Sequence, residues 1–142
     1  MKNSKKKDAM KLYTSYFSNA KALAKANVMV IGIALYPPRW YQGPSIREVA
    51  PTYSILKMTH SDEEYTRRYK AEILAPMDVN TFMDKVRHLT NGRDAALCCY
   101  EKPGEFCHRQ LLAEHLRAHG IEIEEFVPKE PTKQLDLFAD AD

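Results

Sequence analysis

The stretch NVMVIGIAL, residues 27–35, constrains this chain more than any other. It is short, rich in β-branched residues and apolar on both faces of an extended backbone. That pattern predicts a strand covered on both sides, and such strands belong to parallel sheets. AALCCYE, which follows Asp94, is a second run of the same kind, and KLYTSY, residues 11–16, can be a first strand ahead of both. Between the first two strands lies SNAKALAK, residues 18–25, with Ser18 as an N-cap candidate and good helix formers behind it. Strand, helix and strand in this order predict a right-handed crossover. With 142 residues the chain has room for one core and not two. The expected fold class is therefore α/β: one three-layer domain over residues 11–127, with a small, mostly parallel sheet flanked by helices.

The rest of the chain fits that frame. After Leu35 the text turns to YPPRWYQGPS, whose prolines and glycine exclude a long helix or a central strand and predict a loop at a strand's carboxyl end. SDEEYTRRYKAEILA has acidic residues in its first turn and apolar or aromatic positions at Tyr65, Tyr69, Ile73 and Leu74. DVNTFMDKVRHLT opens on Asp78 and stops at Asn91-Gly92. Both read as helices. CHRQLLAEHLRAHG carries one apolar stripe of Leu111, Leu112, His115 and Leu116 and ends at Gly120, and IEIEEFV then alternates like an edge strand. Residues 1–10 read as a basic tail and 128–142 as a flexible, proline-rich one.

Composition narrows the function classes. A net charge of +2, from 21 basic and 19 acidic residues, gives no global pull toward nucleic acid, so any such contact must be local. No apolar run approaches the roughly eighteen residues of a membrane helix, and MKNSKKKDAM is followed by no apolar signal region. The expectation is a cytoplasmic protein without a membrane partner. The three cysteines, Cys98, Cys99 and Cys107, are odd in number in a chain with no sign of secretion, so a disulfide framework is not expected.

In open α/β sheets ligands bind beyond the carboxyl ends of the strands, where two loops of unusual content are expected to meet, residues 37–42 and 101–109. The second carries Glu101, an acid or base, and then Cys107, His108 and Arg109 in the first turn of a helix. Free N–H groups and the helix dipole there favour an anion and a thiolate. Glu101, Cys107 and His108 are the catalytic candidates, and Arg109 is expected to be an anion clamp at a helix start, dispensable for folding. Arg39, Trp40 and Tyr41 pair a guanidinium with two aromatics and could stack a base; Tyr65 and Cys99 complete the candidate substrate contacts. The competing reading has Cys98, Cys99 and Cys107 as core, Arg109 as a structural partner of Glu101 and the aromatics as loop packing. Cys99, Cys107 and His108 form only part of a zinc ligand set, with no C-x-x-C and no H-x-x-x-H partner pair, so neither a metal nor a cofactor is expected. His115 and His119, four apart on a helix, lack the Glu of an H-E-x-x-H motif.

LCCYEKPGEFCHRQLLAEHL, a buried strand ending in C-x-E followed by C-H-R opening a helix, resembles the domain-of-unknown-function 488 family. PPRWYQG, VAPTYSILK and EYTRRY resemble that family's flanking segments in the same order. The resemblance implies a candidate site at Cys99, Glu101, Cys107, His108 and Arg109 and implies no particular reaction.

Near the C-terminus, Gln134-Leu135-Asp136-Leu137-Phe138 is similar at every position to the bacterial sliding-clamp binding peptide. In such peptides the residues at Leu135, Leu137 and Phe138 fill an apolar groove and the Gln134 amide orients the segment. The alternative is that Leu137 and Phe138 fold back on the domain. The expected function is DNA maintenance: a domain recruited to the clamp and acting on a nucleotide or nucleic-acid substrate. A non-enzymatic adaptor tethered to the clamp and a small-molecule enzyme for a phosphate or carboxylate are the rival classes.

Overall fold

The computed structural model describes residues 9–100 and 106–128. Four strands form one sheet: β1 (Leu12–Tyr16), β2 (Met29–Gly32), β3 (Ala95–Cys99) and β4 (Glu124–Glu125), in the spatial order β2-β3-β1-β4 with every pairing parallel. Parallel neighbours need crossovers, and helices supply them. α1 (Ala20–Lys25) joins β1 to β2. α2 (Tyr53–Met58), α3 (Asp62–Tyr69) and α4 (Val79–Thr90) join β2 to β3, and α5 (His108–Ala118) joins β3 to β4.

The central strand β3 is buried at every position, as a strand covered on both faces must be. Its side chains alternate between two cores. Ala95, Leu97 and Cys99 face the main core, which Ile55, Tyr69, Phe82, Val86, Leu112 and Leu116 from α2 to α5 complete. Ala96 and Cys98 face the smaller core with Phe17, Leu23, Val28 and Phe126. The result is the expected α/β layering, with α1 on one face and the other helices on the opposite one.

Local chemistry explains most boundaries. Ser61 caps α3 by accepting from the Glu64 N–H at 3.0 Å, while the Glu64 carboxylate accepts from the His60 N–H at 3.0 Å. A π-helical turn, Lys70–Leu74, extends α3. Asp78 caps α4, and Asn91 ends it in the left-handed conformation at φ 57°.

Four sequence expectations change. Ser18 does not cap α1: a 3-10 turn, Phe17–Asn19, precedes it, and Asn19 at the cap position makes no side-chain cap bond. Only Met29–Gly32 of the run 27–35 is strand. The Ile33 N–H still donates to the Cys98 carbonyl at 2.9 Å before the chain turns away. β4 is an edge strand of two residues only. Helix α2 is not among the expected elements, although Thr52 after Pro51 is its N-cap, accepting from the Ile55 N–H at 3.2 Å.

The loop after β2 folds back along that strand. The Gly32 N–H donates to the Pro44 carbonyl and the Ile46 N–H donates to the Gly32 carbonyl, each at 2.9 Å. This approach requires glycine: a Cβ on Gly32 would stand 2.8 Å from Ser45 Oγ and 3.3 Å from the rings of Phe17 and Tyr41. Tyr41 is thereby set against Phe17 on the small-core side of β2. Among the described residues no helix is long and apolar enough to cross a membrane.

Candidate active site

A cleft of about 640 Å³ opens beyond the carboxyl ends of β2 and β3. Ala34, Leu35 and Tyr36 form one wall as the chain leaves β2, Tyr100 continues from β3, and Thr59 to Asp62 with Tyr65 come from the start of α3. Cys99 and the opening of α5, Phe106 to His108, make the floor. Tyr65 is buried, stacks along Tyr69 at 6.2 Å between centroids and meets the Phe106 ring edge-on at 5.0 Å. The cleft is thus aromatic at its sides and bears sulfur and imidazole at its base.

His108 is buried, and its Nε2 lies 2.7 Å from the Ile33 carbonyl oxygen. A carbonyl only accepts, so Nε2 carries the hydrogen and donates, and in the neutral ring Nδ1 is left as the acceptor. The Ile33 carbonyl is available because the sheet has just ended. Nδ1 lies 3.9 Å from Cys107 Sγ. Burial pushes the imidazole down to about 4, helped by the charge of Arg109 and opposed by the bond to Ile33. At neutral pH His108 is uncharged.

Cys107 is the N-cap of α5, its sulfur accepting from the Arg109 N–H at 3.5 Å. Cys99 and Cys107 are paired sulfur to sulfur, a single bond where no disulfide framework was expected. Cys98, one residue earlier, points into the small core, where burial pushes its thiol up to about 12 and leaves it inert.

Arg109 is not the solvent-facing clamp that its place at a helix start suggested. It is fully buried. Its Nε and Nη2 each donate to a Glu125 carboxylate oxygen at 3.1 Å, and its Nη1 donates to Cys99 Sγ at 3.0 Å. Thr14 Oγ1 donates to the same carboxylate at 2.7 Å, and the Tyr16 ring lies 5.8 Å from the guanidinium. A carboxylate already occupies the fork that an anionic substrate would need, so the group holds the floor of the cleft from beneath.

Sequence reasoning missed Glu125 and Thr14. A signal was present, because Glu125 keeps the phase of Ile121 and Ile123 in IEIEEFV, and a carboxylate on the apolar phase of a strand calls for a buried partner. The structure also separates what the sequence was expected to join. Arg39, Trp40 and Tyr41 do not line the cleft; Trp40 and Tyr41 pack instead on Phe17 of the small core. Tyr41 serves packing there, its one O–H shared between the Pro44 and Val30 carbonyls, and burial pushes its phenol up to about 12. His115 on α5 and His119 at its C-cap lie with ring centroids 4.5 Å apart, away from the cleft. Glu101 and the peptide residues Gln134, Leu135, Leu137 and Phe138 lie outside the described residues. Among the described residues no group of three or more His, Cys, Asp or Glu side chains is placed to hold a metal ion.

The family model described as the active DUF488-N3 subclade matches residues 14–120. The chain belongs to this family. The match begins within β1, covers every residue that lines the cleft and ends after α5, short of β4 and of the C-terminal peptide. No curated protein and no solved structure matches the chain.

Proposed function

We propose that this DUF488-N3 protein is a thiol enzyme of DNA maintenance, recruited to the replication sliding clamp and acting on a nucleotide or nucleic-acid substrate. One observation carries the reading: His108, fixed by the Ile33 carbonyl, turns its acceptor nitrogen toward Cys107 Sγ on the floor of an aromatic cleft. In the reduced pair the Cys107 thiol is the nucleophile and donates its hydrogen bond to His108 Nδ1. The Arg109 N–H and the helix dipole at the start of α5 favour negative charge on that sulfur. Because burial keeps His108 neutral, it accepts the thiol proton during reaction rather than storing a charge at rest. Tyr36, Tyr65, Tyr100 and Phe106 offer ring surface to a planar base. Glu101, two residues beyond β3, is the proposed acid.

The subclade's description as active supports catalysis over a purely adaptor role. The sequence Gln134-Leu135-Asp136-Leu137-Phe138 supports recruitment to the clamp, with an affinity of roughly micromolar, as a short peptide ordered on binding gives.

The test is product analysis by mass spectrometry. Reduced, full-length protein is incubated with nucleotides, single-stranded DNA and duplex DNA. Cys107→Ser is expected to lower turnover by about a hundredfold or more, as loss of an activated nucleophile does. Replacing Gln134 and Phe138 by alanine is expected to abolish clamp binding and leave turnover on free substrate unchanged. A protein that binds the clamp and converts none of these substrates would be an adaptor, and retention of turnover in Cys107→Ser would remove the thiol mechanism.

A further inference from the structure

Trp40 is 60% exposed, an unusual position for a large aromatic ring in a small domain. It is nonetheless well supported. Trp40 stands perpendicular to Phe17, at 6.3 Å, and to Tyr41, at 6.3 Å. Phe17 is almost fully buried, and Tyr41 is tethered through its hydroxyl. Tyr100, 48% exposed, rests on the same Phe17 ring at 5.6 Å. Two exposed rings therefore share one buried base, and one of them, Tyr100, also lines the cleft. Arg39, beside Trp40, is exposed and makes no ion pair among the described residues.

We infer that Trp40 and Tyr100 form a stacking platform for the unpaired bases next to the one held in the cleft, so that the substrate is a single-stranded nucleic acid. The inference rests on the reading of the cleft as a nucleotide or nucleic-acid site. The chemistry follows from what the platform presents. Every base has a π-face, so stacking on rings is tolerant of sequence, and a neighbouring guanidinium answers the phosphate that accompanies each base. Tyr100 links the platform to the cleft, so a strand can occupy both while a mononucleotide occupies the cleft alone. A duplex, whose bases are already stacked, offers the platform nothing.

Trp40 is the single tryptophan of the chain, so its emission reports on the platform alone. Full-length protein is titrated with a mononucleotide, a single-stranded oligonucleotide of about ten bases and the matching duplex, with affinity measured separately by calorimetry. The single strand is expected to quench Trp40 emission and to bind roughly tenfold or more tightly than the mononucleotide. Trp40→Ala is expected to reduce single-strand affinity to the mononucleotide level with an unchanged melting temperature. Mononucleotide binding together with equal oligonucleotide affinity in wild type and Trp40→Ala would overturn the platform and leave the cleft reading standing. Binding of none of the three ligands would overturn the cleft reading itself. Quenching by the clamp and not by the oligonucleotide would assign the patch to a protein partner and so overturn the inference.

Discussion

Replacing Arg109 by alanine is expected to lower the unfolding free energy by about 3 kcal/mol, the low end of what breaking a buried ion pair costs. The guanidinium is fully buried and, among the described residues, donates to both oxygens of Glu125 and to the sulfur of Cys99. Truncation leaves the Glu125 carboxylate, among the described residues, with the Thr14 hydroxyl alone and opens a cavity beneath the cleft. Glu125 is 29% exposed, so water can solvate part of it, and this places the expected loss at the low end. Lysine has no planar fork and cannot bridge both oxygens and the sulfur together, so Arg109→Lys is expected to fall between wild type and alanine. Urea denaturation of the reduced protein measures this. A loss under about 1 kcal/mol, the size of a surface pair, would return Arg109 to the role of a solvent-facing clamp.

The second large effect is on the pH dependence of stability. His108 sits near 4 in the folded protein because burial opposes its charge, against an ordinary value of 6.5. Between those values the unfolded chain takes up a proton that the folded protein refuses. The stability contributed by neutral, buried His108 is therefore fully present above pH 6.5 and is lost as pH falls toward 4, in total by about 3 kcal/mol. Other groups titrate in this range, so the diagnostic quantity is the difference between wild type and His108→Gln, whose amide can still donate to the Ile33 carbonyl. That difference is expected to shift in favour of the variant as the solution is acidified. A constant difference from pH 7 to pH 4 would mean that the imidazole is not held neutral.

The layering of the domain was legible because it rests on patterns that survive without tertiary knowledge. AALCC is apolar on both faces, and burial on both faces follows in the structure. Asp78 and Asn91 mark the ends of α4 through bonds to their own neighbours. What failed depends on contacts distant in sequence. β4 is two residues long, paired with Tyr13 and Thr14 of β1, an edge contact that IEIEEFV by itself does not announce. The site divides along the same line. Cys107, His108 and Cys99 were found because they are adjacent in sequence or at a strand end, and they do meet. The role of Arg109 was misjudged because its partner Glu125 is 16 residues away in another element. Trp40 was placed with the cleft because loops at strand ends tend to converge there, whereas the bonds between Gly32 and residues 44 and 46 turn this loop back.

A cleft floor that is a reactive thiol site, as proposed, and not ordinary core packing makes the three cysteines react at different rates. Site-resolved labelling of the reduced protein by a small alkylating reagent at neutral pH tests it directly, because all three cysteines are nearly inaccessible, with exposures of 0% for Cys98, 1% for Cys99 and 3% for Cys107, and differ instead in surroundings. Cys107 opens on the cleft beside an imidazole acceptor and a helix N-terminus, while Cys98 is sealed in the small core. The account predicts that peptide mapping finds Cys107 modified at least about tenfold faster than Cys98, with the excess reduced in His108→Gln. Labelling of Cys98 and Cys107 together, at the single slow rate of global unfolding, would contradict it.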